Sequence, residues 1–263
     1  MDKIMLISGC SHAAGSEIDG QEDSFYNRSH SFGNLLANKL GFRPVNIAQN
    51  GMTNSGIARS ILQWFKQFYK PDMKVFVLIS WTESTRLEVS WPTSPITNNR
   101  WPPYRKFYYN ECSKAADWFD PTANSFFRIN LGWAGGDDME KELFPYYHEF
   151  IAKNEYLIEL QTINYILQIQ YFLKSKHIPY VMCNAMHMCT TPNEVNDMYL
   201  DLVDSSRYIN MKNNDMAFFW KYKNLGYTNP KAKYWHHGEE PHSLFADELH
   251  QFIGDKACLL SNG

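Results

Sequence analysis

The heptapeptide Gly9-Cys10-Ser11-His12-Ala13-Ala14-Gly15 directly follows the apolar run Ile4-Met5-Leu6-Ile7. A buried strand over that run would deliver the Ser11 hydroxyl to the edge of a sheet, which makes it the best nucleophile candidate in the chain. A serine hydroxyl has little nucleophilicity at neutral pH, so it needs a base and donors for a developing oxyanion. Two segments with those properties follow later apolar runs, and a third lies near the C-terminus. The first is Asn46-Ile47-Ala48-Gln49-Asn50-Gly51-Met52-Thr53-Asn54, where Gly51 permits a tight turn and can aim a backbone amide. The second is Ser80-Trp81-Thr82-Glu83-Ser84-Thr85-Arg86, and the third is Trp235-His236-His237-Gly238-Glu239-Glu240-Pro241-His242, just before a closing helical segment. Nucleophile, oxyanion donors and base at one end of one sheet are the minimum set for acyl transfer.

The elements that must position them can be read from periodicity. Strands are expected at Ile4–Ser8, Val45–Ala48, Val75–Ile79 and Pro179–Cys183. The continuous apolar run at Val75–Ile79 suits a central parallel strand covered on both faces. Ser31–Leu40 reads as a helix with Phe32, Leu35, Leu36 and Leu40 on one face and Gly41 as its stop. Thr53 or Asn54 can cap a second helix carrying Ile57, Ile61, Leu62, Phe65 and Phe68. His148–His177 is expected as one long helix and His242–Ile253 as the closing one. This alternation implies an α/β fold, a parallel sheet between two helical layers, with ligands bound beyond the carboxyl ends of the strands.

One domain over residues 1–263 is expected, with two insertions. The stretch at about 90–147 holds Trp91, Trp101, Tyr104, Trp118 and Trp133 among prolines and glycines. So aromatic a segment points to an ordered cap or lid over the site, with a subdomain or oligomer contact as the equal alternative. A second irregular stretch at about 186–234 contains Met188, Met211, Phe218, Phe219, Trp220 and Tyr222 and is expected to pack beside the first.

Composition narrows the partners. A net charge of -3 and 20% charged residues give no basic excess, so nucleic acid is not the expected partner. No stretch approaches a membrane span and no signal peptide is recognisable, so a cytoplasmic location is expected. The cysteines Cys10, Cys112, Cys183, Cys189 and Cys258 are odd in number and scattered, which favours free thiols.

The chain resembles the SGNH, or GDSL-like, hydrolase superfamily, whose four blocks are matched in order by "SGCSHAAG", "NIAQNGMTN", more loosely "ISWTESTR", and "WHHGEEPHSLFADEL". The second and last blocks look most like members found in phage and bacterial genomes. The resemblance covers roughly residues 3–89 and 150–255 and leaves the aromatic middle unexplained. It implies a three-layer α/β/α, flavodoxin-like fold and a serine esterase or acyl hydrolase without cofactor. Ser11 would be the nucleophile, with its own amide and that of Gly51 as oxyanion donors. Thr82 stands where the family usually has an oxyanion asparagine, and Cys10 replaces the aspartate of the name-giving block. His236 would be the base, six residues before a histidine that opens the last helix, here His242. The aspartate expected two or three residues before the base is absent, because Tyr234 and Lys233 occupy those places.

Each assignment has a competitor. His237 contests the base, Asn54 can serve as a helix cap, and Arg86 suits either a substrate carboxylate or phosphate or a structural salt bridge. His12 could line the pocket. Asp247 and His250 have the family's acid–base spacing but fall in a helical segment, and Asp201 and Asp204 are candidate replacement acids. A metal reading of His236, His237 and His242 with Glu239 or Glu240 lacks a closed ligand set. The expected reaction is hydrolysis of an ester, with an acetylated carbohydrate and a lipid-like ester both open. The alternative is a binding module that has lost its acid and works through the aromatic insertion.

Overall fold

The computed structural model describes residues 2–90, 107–108, 115–116, 126–130, 145, 149, 154–186, 194–211 and 213–256. Its centre is β1 (Lys3–Gly9), buried from Ile4 to Gly9. Parallel neighbours β2 (Arg43–Asn46) and β3 (Lys74–Trp81) flank it, and β8 (Tyr180–Asn184) continues the sheet beyond β3. The order β2-β1-β3-β8 is that of a flavodoxin-like sheet.

Side-chain alternation along these strands builds two cores. Ile4, Leu6, Val77, Ile79, Tyr180 and Met182 face α4 (Asn54–Phe68) and α5 (Glu155–Ser175), where Ile57, Ile61, Trp64 and Phe65 form the buried stripe of α4. Met5, Ile7, Phe76, Leu78, Val181 and Cys183 face α3 (Phe32–Lys39), α7 (Phe218–Asn224) and α8 (Glu239–Gly254). Strands covered on both faces read as unbroken apolar runs, which is why they stood out in the sequence. The expected three-layer α/β/α architecture is therefore present.

Several boundaries differ from expectation. Strand β2 begins and ends two residues early, since Arg43 and Pro44 already pair with Ile4 and Met5. Helix α8 starts at Glu239, so His242 lies within the helix rather than opening it; Pro241 is tolerated because a first-turn residue needs no intrahelical acceptor. Among the described residues the long helix starts at Glu155, where the side chain of Asn154 accepts from Leu157 N at 3.1 Å. Two short helices went unforeseen: α1 (Ser11–Ala14) and α2 (Phe25–Ser29), the latter capped by Ser24.

The stretch at 186–234 is less irregular than expected. It holds α6 (Glu194–Leu200) and α7, and Met211, Phe218, Phe219 and Tyr222 are buried. Phe218 and Tyr222 pack in the core under α8. Of the aromatic stretch, the described parts are antiparallel ladders: β4 (Arg86–Ser90) with β7 (Phe126–Asn130), and β5 (Phe107–Tyr108) with β6 (Ala115–Ala116). Trp91, Trp101, Tyr104, Trp118, Trp133 and Met188 lie outside the described residues, as does the expected packing of the two insertions. Among the described residues no helix is long and apolar enough to cross a membrane.

Candidate active site

Ser11 is the first residue of a single helical turn that begins where β1 ends. Cys10 takes extended geometry at the N-cap, Ala14 N donates to Cys10 O at 3.0 Å, and Gly15 closes the turn at φ 74°. The turn sits so close to β3 that a Cβ on Gly9 would lie 2.6 Å from Ala13 Cβ and 2.9 Å from Ser80 O. Only glycine fits there. As the first helical residue, Ser11 has an amide without an intrahelical acceptor, available to a ligand oxygen. Its side chain is almost wholly buried.

The second block lies alongside. Gln49 N donates to Gly9 O at 3.1 Å, and Gly51 adopts φ 69°, the left-handed geometry its tight turn demands. Thr53 is the helix cap, accepting from Gly56 N at 3.0 Å. Asn54 therefore has a different task from the one expected as a cap. Its Oδ1 accepts from Thr82 N at 2.9 Å, and its Nδ2 donates to Thr82 O at 3.0 Å. That double bond to one residue's backbone fixes the loop after β3 against the start of α4. Thr82 Oγ1 is left buried with no hydrogen-bond partner, and so are Ser84 Oγ and His12 Nδ1.

His236 has a carboxylate partner that the sequence reading did not weigh. Its Nδ1 lies 2.6 Å from Glu17 Oε2. Glu17 is buried in the left-handed region at φ 63°, in a loop held by its own N–H on Gln21 O at 2.8 Å and by Asn229 Nδ2 on its carbonyl at 2.8 Å. Lys233 N donates to Oε1 and Tyr234 N to Oε2, both at 2.9 Å. Lys233 and Tyr234, the places where an acid was expected, thus hold the Glu17 carboxylate through their backbone amides. Glu17 lies six residues after Ser11 in a loop bounded by Gly15 and Gly20, but no local spacing links it to His236.

Asp201 and Asp204 are not partners of His236. Asp201 is exposed after α6, and Asp204 caps a 3-10 turn and pairs with Lys174 at 2.8 Å. Asp247 pairs with Lys39 at 2.8 Å, and His250 is exposed on α8. Their spacing reflects an outer helix face.

Burial dominates the electrostatics of the histidines. It lowers His236 below its ordinary value of 6.5, opposed by the Glu17 contact and aided by the Arg86 charge. Burial likewise lowers His12, whose ring centroid is 4.9 Å from that of His236. A neutral His236 that donates from Nδ1 to Glu17 Oε2 carries its unprotonated ring nitrogen at Nε2. His237 is committed elsewhere: Nε2 donates to Phe219 O at 2.9 Å, and its ring packs against Phe218 and Phe219. His242 Nδ1 accepts from Phe32 N at 3.2 Å in the core. Among the described residues no three His, Cys, Asp or Glu side chains form a group that could hold a metal ion.

No family model matches the chain, and no curated protein does. Solved structures do. One is the psychrotrophic esterase EstA from Pseudoalteromonas, determined with monoethylphosphonate as inhibitor, at 12% identity over 97% of this chain and 99% of that one, with a TM-score of 0.44. A second is a carbohydrate esterase at 11% identity, 99% and 67% coverage and a TM-score of 0.43. A third is a member of the lipolytic G-D-S-L family from Veillonella parvula at 8% identity, 95% and 97% coverage and a TM-score of 0.41. The solved structures to which this chain is similar are thus esterases and a lipolytic G-D-S-L protein.

Proposed function

We propose that the protein is a serine esterase in which Ser11 is the nucleophile, His236 the base and Glu17 the positioning carboxylate. The observation that carries this reading is the Glu17–His236 contact, because it supplies the acid whose apparent absence favoured a binding module. His236 Nε2 takes the Ser11 proton, and Ser11 Oγ attacks the ester carbonyl. The oxyanion is met by the amides of Ser11 and Gly51 and by the Thr82 hydroxyl. The alcohol then leaves with the proton from His236, and water resolves the acyl-enzyme by the reverse sequence. Glu17 holds the imidazole in one tautomer and offsets the imidazolium charge.

An acylated carbohydrate is the favoured substrate. Trp235 is 73% exposed at φ 72° beside His236, with Lys223 Nζ 5.1 Å from its ring centroid. A bulky residue held in that backbone region, its ring facing solvent at the site, offers a stacking face for a sugar.

A fluorophosphonate probe is expected to label the intact protein at Ser11 and to leave the folded Ser11→Ala variant unmodified. Absence of an adduct, where a control esterase reacts fully, would overturn the assignment.

A further inference from the structure

Arg86 is buried next to the reacting groups without the partners that a structural arginine acquires. It begins β4, five residues beyond the end of β3, and its side chain is only 9% exposed. Among the described residues Nε and Nη1 have no hydrogen-bond partner, and Nη2 reaches only Met186 Sδ at 3.5 Å, a weak acceptor. Glu83 Oε2, 3.6 Å from Nε, balances charge without occupying a donor. Arg28 shows how this protein satisfies a buried guanidinium that serves the fold. Its Nε and Nη2 take both oxygens of Asp23 at 2.9 and 3.2 Å, and its Nη1 donates to Asn46 O and Ala48 O at 3.1 Å.

The open donors of Arg86 therefore call for an acceptor from outside the chain. A guanidinium presents a planar fork whose natural complement is a carboxylate, bound bidentately. Ser84 Oγ, also buried and on the same loop, has no partner among the described residues and adds a hydroxyl donor. Asn54 fastens this loop, through Thr82, beside the start of α4, and the Arg86 charge acts on the candidate site by lowering both His12 and His236.

We infer that Arg86, with Ser84, forms a carboxylate subsite, so that the preferred substrates are esters bearing a negative charge near the scissile bond. This rests on the esterase reading for the identity of the reaction, not for the binding of the anion. The carboxylate could belong to the acyl group or to the alcohol, and the assay separates the two. The acyl arm compares 4-nitrophenyl hydrogen succinate with 4-nitrophenyl butyrate. The alcohol arm compares O-acetylated galacturonate with O-acetylated galactose.

In at least one arm, kcat/KM is expected to favour the charged ester by on the order of tenfold or more. Arg86→Gln should bring that ratio close to one, and Arg86→Lys, which keeps the charge but loses the fork, should retain part of it. No preference in either arm, or a preference that survives Arg86→Gln, would overturn the inference while leaving the esterase reading intact. If no ester is turned over, the esterase reading fails and binding decides the subsite. Saturation-transfer NMR should then show contact for succinate and galacturonate but not for succinamide and galactose, and the contact should be lost in Arg86→Gln. Equal signals from acids and neutral analogues would overturn it. If Arg86→Gln does not fold, the Arg86→Lys ratio and the wild-type comparison of charged with neutral ligands carry the same decision.

Discussion

Glu17 Oε2 and His236 Nδ1 meet at 2.6 Å across 219 positions of sequence, joining the loop after Ser11 to the segment before the last helix. The contact orients the His236 ring and also closes the two ends of the scaffold on each other, because the same carboxylate accepts from Lys233 N and Tyr234 N.

Glu17→Gln is expected to lower kcat by roughly 10²- to 10⁴-fold, since loss of the carboxylate releases the tautomer and the imidazolium loses its counter-charge. Its amide nitrogen would also confront an N–H donor, so stability should fall by about 1–3 kcal/mol. Parallel measurement of ester turnover and urea unfolding separates the two effects. His250→Ala, on the outer face of α8, should leave both unchanged. An active Glu17→Gln protein with an unaltered pH profile would remove Glu17 from the mechanism.

Acid should weaken the fold and stop turnover together. His12, His236, His237 and His242 are all lowered from 6.5, chiefly by burial. Below pH 6.5 the unfolded chain therefore binds more protons than the folded one, and stability rises with pH. The contribution is complete above about 6.5 and is lost progressively as pH falls below it. Thermal unfolding across pH 4.5–8 should show Tm dropping on the acid side. The acid limb of kcat/KM should lie below pH 6.5, reflecting protonation of His236, which faces Glu17, Glu22 and Arg86. A Tm independent of pH over that range would contradict the burial of neutral imidazoles.

The sheet and its main helices were legible because a strand covered on both faces must be continuously apolar and a covering helix must carry a stripe. Ser11 and Gly51 stand just after such runs, and His236 was singled out by its place six residues before His242. Glu17 was not, because the contact is tertiary: nothing in local spacing says that the loop following a nucleophile will fold back under the last segment. The tie of Asn54 to Thr82 was hidden for a related reason, while Thr53, the other expected cap, takes the cap. Asn54 occupies a position where a helix cap is chemically reasonable, and only the fold brings Thr82 within its reach. His237 and His242 resemble His236 in sequence and differ only in what buries them.

The pairing of Asn54 with Thr82 should be worth more than a cap. Asn54→Ala removes both bonds and strands the buried Thr82 N–H, so a loss of about 1–3 kcal/mol is expected. Asn54→Asp should be worse than its near-identical shape suggests, because one carboxylate oxygen would face Thr82 O. Chemical denaturation of the two variants gives the ordering. If Asn54→Asp proves the milder, the tie to Thr82 is not what the residue supplies.

Gly9 sets how closely the Ser11 turn approaches the sheet, and a single methyl should disturb it. A Cβ at Gly9 would stand 2.6 Å from Ala13 Cβ and 2.9 Å from both Ser80 Cβ and Ser80 O, and the last of these is backbone that cannot swing aside. Relief requires moving α1 away from β3, which carries Ser11 with it. Gly9→Ala should therefore cost about 1–3 kcal/mol through overpacking. It should also slow fluorophosphonate labelling of Ser11 by far more than the fraction unfolded can explain, because displacement of about 1 Å can cost on the order of 10²-fold in reactivity. Measuring the labelling rate and the unfolding free energy on the same preparation distinguishes the two. A destabilised variant whose folded fraction still labels at the wild-type rate would show that the turn relaxes elsewhere, and that the position of Ser11 does not depend on the absence of a side chain at Gly9.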